Sequence, residues 1–158
     1  MLNSDQKLHN GYMLEALNEA HIAFSEEEVP VGAILVYKDV IIARDHNRVE
    51  KKKDCTAHAE ILCIRKAAEM IGDWRLTEAT LYTTLEPCSM CAGAIILSRI
   101  STVVWGASDI RYGAGGTQVD LFAILSSVHK VNVIRGIFEY ESSSLLKYFF
   151  SKKRSKCL

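Results

Sequence analysis

The chain has 158 residues, with 19 Lys and Arg against 19 Asp and Glu, so its formal net charge is zero with the five histidines neutral. That balance excludes a protein that grips nucleic acid through uniform positive charge. A composition of 49% hydrophobic and 24% charged residues excludes a disordered chain. The length points to one domain over 1–158, with a core that needs neither metal nor disulfide to form.

The first eleven residues, MLNSDQKLHNG, are polar and offer no secretory signal, so a reducing cytoplasm is expected. Met13, Leu14, Leu17, Ala20 and Phe24 recur at helical spacing and predict an amphipathic helix from about Asn10 to Ser25, with an acidic end stopping at Pro30. The runs 31–37 and 40–47, separated by Lys38 and Asp39, predict a β-hairpin. A helix follows over 57–71 with Gly72 as its stop, then a strand over 79–85 and a helix over 88–98. A strand over 101–107 leads through a glycine-containing loop to a short helix near 119–125. A strand near 131–136 and a C-terminal helix through Leu145, Leu146, Phe149 and Phe150 complete the chain. Alternating strands and helices predict an α/β sheet covered on both faces, with the strands from 79 onward parallel. Apolar runs reach only seven residues, at 31–37 and 91–97, too short for the 18 or so of a membrane span.

Net neutrality averages unlike parts. Residues 1–30 hold six acids and one base, whereas 145–158 hold five bases, among them Lys147, Lys152, Lys153 and Arg154, and no acid. A second basic run, Arg48 with Lys51, Lys52 and Lys53, precedes the segment Cys55-Thr56-Ala57-His58-Ala59-Glu60. Each run is a candidate phosphate contact, and each equally suits a solvated face.

Soft and acid-base groups concentrate in that segment and in Pro87-Cys88-Ser89-Met90-Cys91. A Cys-x-x-Cys pair opening a helix puts both sulfurs on one side of the first turn, where free N–H groups and the helix dipole favour the thiolates that bind metal. Alone, such a pair also fits buried structural thiols or a redox couple. Adding Cys55 and His58 supplies four ligands for a closed structural zinc, whereas His58, Cys88 and Cys91 leave a fourth position open for catalysis. Glu60 is stabilising in a first helical turn through the dipole alone, and Asn47, Thr84 and Asp109 equally suit turns or caps.

His58-Ala59-Glu60 followed by Pro-Cys-x-x-Cys resembles the signature of the zinc-dependent cytidine and adenosine deaminases. The segments 28–36, 46–48, 56–61, 79–96, 98–100 and 106–116, and an LL..FF pattern at 145–150, are similar to the bacterial tRNA-specific adenosine deaminases over nearly the whole chain. The resemblance implies a three-layer α/β/α fold around a mixed five-stranded sheet. It implies one zinc held by His58, Cys88 and Cys91, with Glu60 as proton shuttle and Asn47, Ala59 and Asp109 contacting the substrate. It further implies conversion of adenosine to inosine at the wobble position of a tRNA anticodon, by a homodimer. Cys55 departs from the family's proline, which keeps the four-ligand site open at this point. A free-base or nucleoside deaminase of cytosine, cytidine or guanine, or a zinc-stabilised binding module, are the alternatives. The basic residues at 48–53 and 147–154 are then expected near the pocket, with the acids at 26–28 turned away from phosphates.

Overall fold

The computed structural model describes residues 4–156; residues 1–3 and 157–158 of the expected span lie outside them. Its strands are β1 (Gly32–Tyr37), β2 (Val40–His46), β3 (Thr80–Leu85), β4 (Thr102–Ala107) and β5 (Asn132–Ile134). Its helices are α1 (Ser4–Ser25), α2 (Val49–Lys52), α3 (Ala59–Ile71), α4 (Ser89–Leu97), α5 (Leu121–Ile124) and α6 (Glu139–Lys156). The strands form one mixed sheet in the order β2-β1-β3-β4-β5. The pairs β3–β4 and β4–β5 are parallel, as the helical crossovers between them require, while β1 is antiparallel to both β2 and β3. Only β1 is reversed, so β2, β3, β4 and β5 all end at one edge of the sheet.

Alternation of side chains assigns the two faces. Ala33 and Leu35 of β1, Leu81 of β3, and Val103 and Trp105 of β4 pack with Ala59, Cys63 and Ala67 of α3, with Ala92, Ile95 and Ile96 of α4, and with Phe122 of α5. The intervening Ile34, Val36, Tyr82 and Val104 pack with Met13 and Ala16 of α1 and with Ile137 and Phe138 ahead of α6. Both faces are therefore covered, which is why the strands read as apolar runs and not as alternating ones.

The ends of elements follow local chemistry. Lys38 and Asp39 close the β1–β2 hairpin with φ of 50° and 60°, the doubly left-handed geometry of a two-residue turn. Gly72 caps α3 in the left-handed conformation, its N–H donating to the Ala68 carbonyl. The Asp120 side chain accepts from the Ala123 N–H and so starts α5.

Two expectations need correction. The first helix begins at Ser4, six residues before the expected Asn10, because its polar first turns continue the helix without contributing to the apolar periodicity. The basic segment at 48–53, to which the sequence assigned neither helix nor strand, contains the four-residue helix α2. Its Arg48 N-cap makes no side-chain cap, so no local signal announced it.

Gly32 marks where α1 lies closest to the sheet. A Cβ there would stand 2.1 Å from the Ala16 carbonyl oxygen and 2.4 Å from the Ala20 nitrogen. Gly32→Ala is expected to push α1 off β1 and cost at least about 1–3 kcal/mol, read as a lowered urea midpoint.

Candidate active site

The helices α3 and α4 follow β2 and β3, whose ends lie at the same edge, and both pack on the same face. Their N-termini consequently open side by side. His58 is the N-cap of α3 and Cys88 the N-cap of α4, each with extended backbone and neither using its side chain to cap. The imidazole and sulfur are thus free for each other. His58 Nδ1 lies 3.7 Å from Cys88 Sγ and 3.6 Å from Cys91 Sγ.

These three residues form a group whose donor atoms all lie within 4.8 Å of one another. Tetrahedral zinc, with bonds of about 2.3 Å to sulfur and about 2.0–2.1 Å to nitrogen, sets neighbouring donors roughly 3.5–3.8 Å apart, so the donor set and its spacing fit zinc. Cys55 is exposed and outside this group. It sits on a turn built by Asp54, whose Oδ1 accepts from the Thr56 N–H at 2.8 Å and from its hydroxyl at 2.7 Å.

The thiols share their protons unequally. Cys88 is pushed down to about 4, chiefly by the hydrogen bond from the Cys91 thiol and then by the imidazole. Cys91 is pushed far up by that same bond and by burial. The hydrogen bond to Cys88 also raises His58 above its ordinary value. Binding a divalent cation to all three displaces the retained protons.

Glu60, in the first turn of α3, is 4% exposed. Burial raises its carboxyl to about 7, only partly offset by its own backbone N–H, by the imidazole and by a hydrogen bond from Cys91. Ala59 before it is fully buried.

Two further buried carboxylates shape the surroundings, and neither was singled out from the sequence. Glu28, 1% exposed, accepts from Asn47 Nδ2 at 3.2 Å and from the backbone N–H groups of Glu50 at 3.2 Å and Lys51 at 2.7 Å. It therefore caps α2 from a distance in sequence, in place of the missing local cap. Glu86, 2% exposed, accepts from the N–H groups of Asp109, Gly115 and Thr117 and from the Thr117 hydroxyl. It shapes the 109–117 loop against Pro87 and Cys88, where the Ala114 N–H donates to the Pro87 carbonyl. A Cβ on Gly113 would stand 2.5 Å from Glu86 Oε2, so the loop closes only over glycine. Glu86 did carry a signal, as the one charge between an uncharged strand and Pro87.

The remaining candidates are distributed around this edge. Asn47 directly follows β2, and the next residue ties it to the segment leading to His58 through the Arg48 N–H, which donates to the Ala57 carbonyl at 3.0 Å. Thr84 Oγ1 accepts from the Gly32 N–H at 3.1 Å, joining β3 to the start of β1. The Asp109 carboxylate accepts from the N–H groups of Arg111 and Tyr112, a turn-forming use of the side chain. Arg48 pairs with Asp45 at 2.7 Å and Glu26 at 3.5 Å, and Lys51 pairs with Glu26 at 3.2 Å. Glu26 is thus turned toward the basic run, not away from it. Lys52 and Lys53 are exposed. Near the end of α6, Lys152 lies over the Phe24 ring and Lys153 over the Phe149 ring, with Arg154 exposed.

A mixed sheet of this order, with His-x-Glu and Cys-x-x-Cys opening two helices that face one another, defines a deaminase of the cytidine deaminase-like fold. The family model described as MafB19-like deaminase matches residues 7–154, and the chain belongs to that family. The tRNA-specific adenosine deaminase of Bacillus subtilis (strain 168) is 47% identical to it over 145 residues, covering 92% of this chain and 90% of that protein. A solved structure from work on A-to-I editing by tRNA:A34 deaminases at the wobble position of transfer RNA aligns with a TM-score of 0.80 and 43% identity, covering 86% of this chain and 99% of that one. A guanine deaminase from Bacillus subtilis aligns with a TM-score of 0.62 and 33% identity, covering 78% of this chain and 75% of that one.

Glu60 makes the metal-free protein pH-dependent in a defined direction. Its folded pKa of about 7 exceeds the ordinary 4.5, so the stability it contributes is present in full below the ordinary value and is lost as pH rises through 7. Glu60→Gln in metal-free protein is expected to change stability little near pH 5 and to raise it by about 2–3 kcal/mol near pH 8, measured by urea unfolding at both pH values.

Proposed function

We propose that the protein hydrolytically deaminates adenosine to inosine at the wobble position of a tRNA anticodon. The observation that carries the chemistry is the buried Glu60 carboxyl set beside a His58, Cys88 and Cys91 group with the spacing of a zinc site. The likeness to tRNA-specific adenosine deaminases at 47% identity supports the choice of substrate.

His58, Cys88 and Cys91 would hold the zinc ion. Bound there, zinc supplies nucleophilic water at neutral pH by lowering that water's pKa. Glu60 takes a proton from the attacking water and delivers it to N1 of adenine, so that C6 accepts the water oxygen. The second water proton leaves with the amino group as ammonia, and inosine remains. A carboxyl buried in the first turn of α3, two residues from His58, is placed to accept and return that proton. Asn47, Ala59 and Asp109 hold the nucleoside. Lys52, Lys53, Lys152, Lys153 and Arg154 are the phosphate contacts left at the surface, with Arg48 and Lys51 neutralised by their own acids.

The working form is a homodimer. Helix α4 is apolar on all sides, the pattern of a buried helix, yet it leaves Met90, Gly93, Ala94 and Leu97 partly or fully exposed along one stripe. A second chain covering that stripe removes it from water. The free cysteines suit the reducing cytoplasm, and among the described residues no helix is long and apolar enough to cross a membrane.

The purified protein is expected to form inosine in a tRNA carrying a wobble adenosine and to release no ammonia from free guanine or cytidine. Ammonia from free guanine with unmodified tRNA would assign it instead to the activity named for the guanine deaminase relative. Glu60→Ala is expected to keep one zinc per chain while slowing inosine formation by about 10²–10⁴-fold, with metal content and turnover measured on the same sample. Light scattering is expected to give the mass of two chains, and Leu97→Glu the mass of one.

A further inference from the structure

A carboxamide has a donor end and an acceptor end, and nothing in an asparagine itself decides which faces a ligand. At Asn47 the decision is imposed. Its Nδ2 donates to Glu28 Oε2 at 3.2 Å. Glu28 is acceptor-only as a carboxylate, and its other contacts agree, because two backbone N–H groups of α2 also donate to it. The reversed carboxamide would set Oδ1 against a buried carboxylate oxygen, with no proton between them. Such an arrangement leaves both groups unpaired.

The opposite end of the side chain is correspondingly available. No described donor reaches Asn47 Oδ1, and that atom is not among the buried polar atoms lacking a partner, which are Thr83 Oγ1 and Ser142 Oγ. With one of the two N–H bonds of Nδ2 spent on Glu28, the oxygen is the end of the carboxamide that the described residues leave unengaged.

We propose that Glu28 is a positioning residue that fixes the orientation of the Asn47 carboxamide, so that Asn47 selects a hydrogen-bond donor on the target nucleoside. This rests on the reading of Asn47 as a substrate contact. It adds a residue 19 positions away that sets the polarity of that contact. The same carboxylate caps α2, so the contact and the segment leading to His58 are held by one group.

The polarity can be inverted and restored by substitution. In Glu28→Gln the Lys51 N–H, the shorter of the two α2 contacts, keeps the side-chain oxygen in the place of Oε1, which leaves the new NH2 in the place of Oε2, facing residue 47, and takes the acceptor from the Glu50 N–H. Asn47 then turns its oxygen inward and its NH2 toward the substrate. In Asn47→Asp two carboxylates face each other. The double variant Glu28→Gln/Asn47→Asp again pairs a donor at 28 with an acceptor at 47 and again shows the substrate an oxygen.

The measurement is kcat/KM for inosine formation in a wobble-adenosine tRNA, with zinc content and the thermal midpoint recorded for each variant. Glu28→Gln and Asn47→Asp are each expected to lose on the order of ten- to a hundredfold. The double variant is expected to exceed the better single variant by at least about threefold. A purely structural role for Glu28 predicts no such recovery, since Asn47→Asp adds nothing to the cap of α2. Glu28→Gln at wild-type kcat/KM overturns the proposal. So does a double variant that fails to exceed both singles, whether through misfolding or through slow turnover. Asn47→Ala separates the two layers of inference: unchanged kcat/KM removes the substrate contact itself, whereas a loss without recovery in the double variant removes only the role of Glu28.

Discussion

The structure depends on one constraint, the opening of two helix N-termini toward the same point. Strand β1 is reversed between β2 and β3, so these two strands run the same way and end at the same edge. Each is followed by a helix on the same face, so α3 and α4 present their first turns together. The first N–H groups and the positive end of a dipole then meet at a common site from each helix, the Glu60 N–H bonding its own carboxyl and the Cys91 N–H bonding Cys88. That environment favours thiolate at Cys88, beside which the His58 imidazole lies. The grouping of His58, Cys88 and Cys91 follows from topology as much as from residue type.

Around that point stand three buried glutamates with different surroundings. Glu28 receives three hydrogen bonds and Glu86 four. Both use their oxygens to hold backbone: the first turn of α2 in one case, the 109–117 loop in the other. Glu60 is desolvated without comparable compensation, and its carboxyl rises accordingly. The fully bonded pair builds the walls, and the poorly bonded member remains free to exchange a proton. Charge is organised in the same way along β2 and α2. Asp45 is buried, which pushes its carboxyl up, yet hydrogen bonds from Lys66 and Arg48 hold it below its ordinary value. Glu26 pairs with Arg48 and Lys51, so part of the basic run is consumed in fixing the segment that carries Asn47.

Much of this was legible in the residues. Periodicity placed α3, α4 and the strands to within two residues, because each has a buried face with a clear period or an apolar run between turn signals. The paired signatures around His58 and Cys88 pointed to one site. What was illegible has a common cause. Helix α2 has four residues, no apolar period and no local cap, and it exists because Glu28 reaches it. Within the acidic run 26–28 the three glutamates look alike, yet Glu26 pairs with cations and Glu28 is buried as a backbone acceptor. Cys55 and His58 share the spacing of Cys88 and Cys91, but a turn at Asp54 leaves Cys55 exposed.

By itself the sequence determined the α/β class, the parallel order of the later strands and the donor types of the site, because these depend on local period and on chemistry carried within a few residues. The tertiary structure decided which of the candidate ligands meet, which glutamate is left under-bonded and which end of Asn47 is held by Glu28. Those outcomes depend on contacts between residues far apart in the chain, where hydrogen-bond geometry and burial select among side chains that are chemically equivalent when read in order.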